Sequence, residues 1–148
     1  MSQADAATLA YWGEHREQLR QSENQRAVLT NYLLAITAAL SGLIAQQKFA
    51  ATTLPLSILI TLSGVFGALA AAKYHERAEY HLQQARALTQ ALKEDGSLAR
   101  GDDLIRQFRE AHYEKHPRLH RVRLHHLWTG LHCGIAAYGV ALIIATLL

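Results

Sequence analysis

Cysteine is almost missing from this 148-residue chain: Cys133 stands alone, so no internal disulfide can brace it. Charge is scarce as well, at 18% against 50% hydrophobic residues, and three long stretches have none. No Asp, Glu, Lys or Arg lies between Arg26 and Lys48, between Lys48 and Lys73, or after Arg123. Ion-coupled transporters and proton pumps draw on ionisable groups inside the membrane, so this absence argues against both. Residues 1–25 are polar and lack an apolar core of the signal-peptide kind, which predicts that no leader is cleaved. KYHERAEYHLQQARALTQALK, residues 73–93, has neither glycine nor proline, so nothing in it breaks a helix.

The charge-free windows contain AVLTNYLLAITAALSGLIAQQ, FAATTLPLSILITLSGVFGALAAA and LHHLWTGLHCGIAAYGVALIIATLL. Each exceeds the roughly 20 residues a helix needs to cross a hydrocarbon core. A buried helix of a soluble protein accounts for one such window but poorly for three. The reading is therefore an all-α integral membrane protein with spans at 27–47, 54–72 and 124–148, joined by a short external link at 48–53. Basic residues set the orientation. Arg16, Arg20 and Arg26 precede the first span, Lys48 sits in the link, and eleven more lie from Lys73 to Arg123. The positive-inside rule then places residues 1–26 and 73–123 in the cytoplasm and the C-terminus outside. Trp128 and Tyr32 fall near span ends, where amphipathic rings belong.

The cytoplasmic segments read as helical extensions of the spans. Between Asp5 and Arg26 only Gly13 interrupts good helix formers. Pro55 suits a first helical turn, with Thr52 or Thr53 as cap, and a helix over 55–93 would be about 58 Å long. Ala78, Leu82, Ala85, Leu88 and Leu92 give it an apolar stripe. EDGSLARGDD, residues 94–103, has turn chemistry, and Asp102 or Asp103 can cap a third helix with Leu104, Ile105, Phe108, Ala111 and His112 on one face. Pro117 should split that helix from the last span. Matched lengths and short connections predict an up-down-up bundle. Small residues at four-residue spacing, with Gly42, Gly64, Gly67, Gly130 and Gly134 among them, mark close helix packing or pore-lining positions. Ser and Thr in the spans either line a pore or bond to backbone carbonyls. His132 is read as a packing residue and Cys133 as a small buried one.

HYEKHPRLHRVRLHH, residues 112–126, holds five of the nine histidines. Its basic part is most simply a collar at the cytoplasmic end of the last span. His116, Arg118, His120, Arg121 and Arg123 also suit contact with an anionic lipid or a phosphate-bearing ligand. His112 and His116, one turn apart, could converge with His15 and His81 on a metal, although a structural zinc site needs four ligands. A pH-sensing role is a further reading, since clustered histidines repel when charged. HERAEYH is not the zinc-protease HExxH, because its second His falls two positions late. A histidine-box di-iron enzyme would need cleaner spacing and a longer chain. No enzyme, cofactor or nucleic-acid partner is expected.

The lead helix with its span, YWGEHREQLRQSENQRAVLTNYLLAITAALSGL, and the straight continuation KYHERAEYHLQQARALTQALK together resemble the SLATT group of small bacterial membrane proteins, over about residues 10–93. The third span departs from that group's usual two-span pattern. The resemblance implies a non-enzymatic effector encoded beside nucleotide-sensing defence genes, which oligomerises and breaches the bacterial inner membrane during phage infection. Its partners would be membrane lipids, further copies of the chain, and a cytosolic sensor. The alternatives are a membrane scaffold that recruits a cytosolic partner and a histidine-dependent metal-binding protein.

Overall fold

The computed structural model describes residues 3–94, 96, 99–117 and 122–148. It is helical, and no strand occurs among the described residues. Helix α1 runs Gln3–Gln46, a single 3-10 turn covers Ala51–Thr53, α2 runs Leu54–Glu94, α3 Ala99–Lys115 and α4 Leu124–Leu147. Three helical stretches, Ala6–Gln46, Ala51–Glu94 and Leu124–Leu147, are long and apolar enough to cross a membrane.

Local chemistry explains the helix ends. After α1 the chain reverses through Lys48 and Phe49, both left-handed at φ 53° and 57°. Their amides bond back to the carbonyls of Ala45 and Ile44. Such φ values cost a residue with a Cβ roughly 1–2 kcal/mol each. Pro55 takes an early helical position in α2, where its missing N–H is no loss. The two threonines expected to cap α2 turn backward instead: Thr53 Oγ1 donates to Ala50 O, and Thr52 Oγ1 to Gln47 Oε1. The expected 94–103 turn is shorter than its composition suggests. Gly96, at φ 77°, follows the end of α2, and α3 already begins at Ala99. Asp102 and Asp103 therefore lie within the first turns of α3, where acidic groups favour the helix dipole, rather than before it. Helix α3 stops at Lys115, two residues short of Pro117.

Along α2, residues at alternating three- and four-residue steps are buried: Ser57, Ile60, Gly64, Gly67 and Ala71, then Ala78, Ala85 and Leu92 at sevens. Helix α4 keeps the same rhythm with His132, Ile135, Gly139, Leu142 and Thr146. This is the seam spacing of left-handed helix packing. Helix α1 follows it from Thr30 through Leu33 to Ile44, but Arg26 precedes Thr30 by four and Ser22 precedes Arg26 by four. Two successive four-residue steps are a stutter, which locally unwinds the supercoil.

The chain divides into two units, Met1–Ser22 with Glu76–Arg123, and Glu23–His75 with Leu124–Leu148. In the second unit, Gly67 meets His132, Gly64 meets Ala136 and Thr61 meets Gly139, so α2 and α4 are antiparallel. Arg26 meets Trp128 and Thr30 meets His132, so α1 and α4 run parallel. Its apolar core is Ile44, Ile60, Ile135 and Leu142, flanked by Leu40 and Leu56. In the first unit, Trp12 Nε1 donates to Thr89 Oγ1 and Arg77 donates to Gln18 Oε1, joining α1 and α2 antiparallel. The described side chains of α3 are exposed, Ile105 at 60% and Phe108 at 72%, so the described part of its expected apolar stripe is not buried.

Candidate functional site

The second unit is inverted relative to a soluble core. Small and polar residues share its seams with a short apolar core, while large apolar side chains such as Leu62, Phe66, Leu69, Leu127 and Ile144 point outward, all more than half exposed. Several seam hydroxyls are spent on their own helices, while Thr37 Oγ1 is buried without a partner. Thr30 donates to Arg26 O at 2.9 Å, Ser41 to Thr37 O at 2.7 Å, Thr61 to Ser57 O at 3.0 Å and Thr146 to Ile143 O at 2.8 Å.

The glycines separate into two classes. A Cβ on Gly64 would lie 2.3 Å from the Ala136 backbone nitrogen, and one on Gly67 would lie 2.3 Å from His132 Nδ1. Gly139 is a third such contact, against Thr61, and its sequence signal was the seven-residue interval from His132. Gly42, Gly130 and Gly134 face open space in the single chain. Their four-residue spacings therefore mark outward faces of α1 and α4, not contacts inside this bundle. Cys133 is exposed beside Gly134, which corrects its reading as a buried residue: the α4 seam passes through 132 and 135.

His132 is 1% exposed and sits where α1, α2 and α4 meet. Its Nε2 lies 3.1 Å from Thr30 Oγ1. The Thr30 hydrogen already goes to Arg26 O, so the hydroxyl accepts here and Nε2 carries the imidazole hydrogen. Nδ1 is then a bare acceptor against Gly67, and it is buried with no hydrogen-bond partner. Three further groups in the same unit are also buried and unpaired, Arg26 Nε, Trp128 Nε1 and the Thr37 hydroxyl. The Arg26 guanidinium carbon stands 5.2 Å from the centre of the Trp128 ring. Burial pushes the Arg26 pKa down from its ordinary value against the pull of Glu23, and an arginine remains charged through such a shift.

The histidines form two pairs and one trio rather than one centre. His15 Nδ1 and His81 Nδ1 are 3.2 Å apart between α1 and α2. His112 and His116 rings lie 4.9 Å apart at the end of α3. His75 stacks on His125 at 3.8 Å, with His126 edge-on to His125 at 4.0 Å. Among the described residues no group of three or more His, Cys, Asp or Glu is placed to hold a metal ion. In the expected anion strip, Arg123 is exposed and His116 half-buried, while Arg118, His120 and Arg121 lie outside the described residues.

The His15–His81 contact requires one Nδ1 to donate and the other to accept, which two imidazolium rings cannot do. Burial, then His15 and Arg77, hold the His81 pKa below its ordinary 6.5, partly offset by Glu14. A depressed histidine pKa favours the neutral form in the fold. The contact is thus fully stabilising above the unfolded value and weakens as pH falls through the folded one. Because the side chains are partly exposed, the effect is worth less than about 1 kcal/mol. Trp12 fluorescence should report a looser α1–α2 contact at pH 5 than at pH 8, and His81→Gln should flatten the difference. A profile unchanged in His81→Gln would remove this pair from the pH response.

No protein-family model, no curated protein and no solved structure matches the chain.

Proposed function

We propose that α1, α2 and α4 cross a bilayer and that the chain acts without catalysis, as a homo-oligomeric effector that permeabilises or depolarises a bacterial inner membrane in anti-phage defence. The observation that carries the membrane part is the inversion just described. Outward Leu62, Phe66 and Leu69 match lipid tails, and inward glycine, serine, threonine and histidine allow close helix approach. The distribution of basic residues supports a cytoplasmic N-terminus and 73–123 segment. Self-association is supported by Gly42, Gly130 and Gly134, which leave open space on outward faces where a second copy can approach. The direction of the activity, membrane damage on infection, comes from the SLATT resemblance over residues 10–93.

The test is inducible expression in bacteria, following membrane potential and uptake of an impermeant dye. The wild-type chain should depolarise the cells. Gly42→Leu and Gly130→Leu, at positions where an added Cβ meets nothing within 4 Å, should reduce the effect at equal membrane abundance. Depolarisation unchanged in both variants would show that these faces do not assemble the active species. No depolarisation at all, with protein confirmed in the membrane and phage supplied as trigger, would defeat the effector reading.

A second reading is favoured by α3. Its exposed Ile105 and Phe108 fit a scaffold that docks a cytosolic partner, and such a chain would be silent in the flux assay yet lose its partner on Phe108→Asp.

A further inference from the structure

Arg26 is 7% exposed, yet the unit around it gives its Nε no acceptor. Trp128, packed over the guanidinium, also has an unpaired donor at Nε1. Two orphan donors on residues in contact, one of them charged, are costly to bury and call for an oxygen acceptor that carries negative charge. Trapped water would supply acceptors but no negative charge. Glu23, one turn earlier on α1, is the carboxylate that acts on Arg26, and it does not reach Nε. The guanidinium carbon stands 5.2 Å from the centre of the Trp128 ring, and its N–H groups have the geometry that matches the oxygens of a phosphate.

We propose that Arg26 and Trp128 form a binding site for phosphoryl oxygens, and that a bilayer fills it with the headgroup phosphate of an anionic phospholipid. The inference rests on the membrane reading. Arg26 borders the start of the first charge-free window and Trp128 lies near the start of the last helix, which puts both at the level of headgroups. Leu29, one turn along α1, lines an apolar groove of about 330 Å³ with Phe66, Ala70, Lys73 and Tyr74, which gives an acyl chain a place to lie. A lipid supplies both the phosphate and the chain, whereas a soluble phosphate supplies only the first. Nε and Nε1 are enclosed, so the oxygen enters as the half-buried Trp128 ring shifts, and this makes Trp128 the reporter.

The chain has two tryptophans, so Trp12→Phe leaves Trp128 as the single fluorophore. The full chain in this background is placed in phosphatidylcholine nanodiscs with increasing phosphatidylglycerol. Trp128 emission should change saturably, and brominated phosphatidylglycerol should quench it. Arg26→Gln should weaken the response tenfold or more, on the order expected for losing a charge-assisted hydrogen bond. Arg26→Lys, which keeps the charge and guards against a folding failure, should weaken it less. Arg20→Gln, which removes an equal charge from an exposed pair with Glu17, should leave it intact. Inorganic phosphate added to pure phosphatidylcholine discs separates the sources: a saturable response there supports the site but makes its ligand soluble. No response to either phosphate, or one equal in Arg26→Gln, overturns the site and leaves a buried water at the two donors. A chain that never enters the discs overturns the membrane reading and this site together, whereas an embedded chain lacking the response overturns the site alone.

Discussion

Replacing Gly64 with alanine should destabilise the second unit by about 2–3 kcal/mol, after allowing about 1 kcal/mol for alanine's better helix propensity. The new Cβ would lie 2.3 Å from the Ala136 nitrogen and 2.7 Å from its Cα. Those are backbone atoms of α4, so no rotamer change relieves the clash and the helix itself must move. Gly64→Leu should abolish the packing of α4 altogether. Gly130→Ala, in open space on α4, should instead be neutral or up to about 1 kcal/mol stabilising in the isolated protomer. Unfolding by sodium dodecyl sulfate from mild micelles, read by helix circular dichroism and Trp128 emission, compares the three. Equal midpoints for Gly64→Ala and Gly130→Ala would mean that α2 and α4 do not approach as described. The contrast also separates folding from assembly. Gly64→Leu would silence a membrane assay by unfolding the protomer, so only Gly42→Leu and Gly130→Leu can report on contacts between copies.

The helices themselves were legible. Charge-free windows bounded by Arg26, Lys48, Lys73 and Arg123 forecast three long apolar helices. The Ala78–Ala85–Leu92 interval forecast the buried stripe of α2. Pro117 forecast the end of α3. What the sequence hid was rotation about each helix axis. Gly130 and Gly134 have the same four-residue spacing as Gly67 and Ala71, yet the first pair faces out and the second in. Four-residue spacing identifies a face without saying which way it turns, whereas the alternating steps of three and four across a whole helix do say. Read that way, His132, Ile135, Gly139, Leu142 and Thr146 single out Gly139 and exclude Cys133. The Arg26–Trp128 contact had no local signal, since it joins residues about 100 positions apart whose types are each ordinary at a span end. The turn before α3 was misjudged because Asp102 and Asp103 suit a cap and a first turn equally well.

His132→Ala should cost about 2–4 kcal/mol, the range for emptying a tightly packed position. The ring lies against Gly67, where no other side chain can fill the space, and its Nε2–H donates to Thr30. Its Nδ1, however, is buried without a donor, so the wild-type residue already carries a desolvation cost. That asymmetry makes a sharper test than deletion. Thr30→Val with His132→Leu removes both hydrogen-bonding partners and the orphan Nδ1 while keeping most of the volume. The double variant should then be more stable than the sum of the singles by about 0.5–1.5 kcal/mol. A double-mutant cycle in micelles measures this coupling, and additivity within about 0.3 kcal/mol would show that the Thr30–His132 bond does not form. The same double variant asks what the histidine is for. If it still depolarises cells at wild-type abundance, His132 is a packing and hydrogen-bonding residue of the bundle. If it folds more stably but falls silent, the polar contact is retained for the active state, and the buried Nδ1 becomes the atom whose partner in that state must be found.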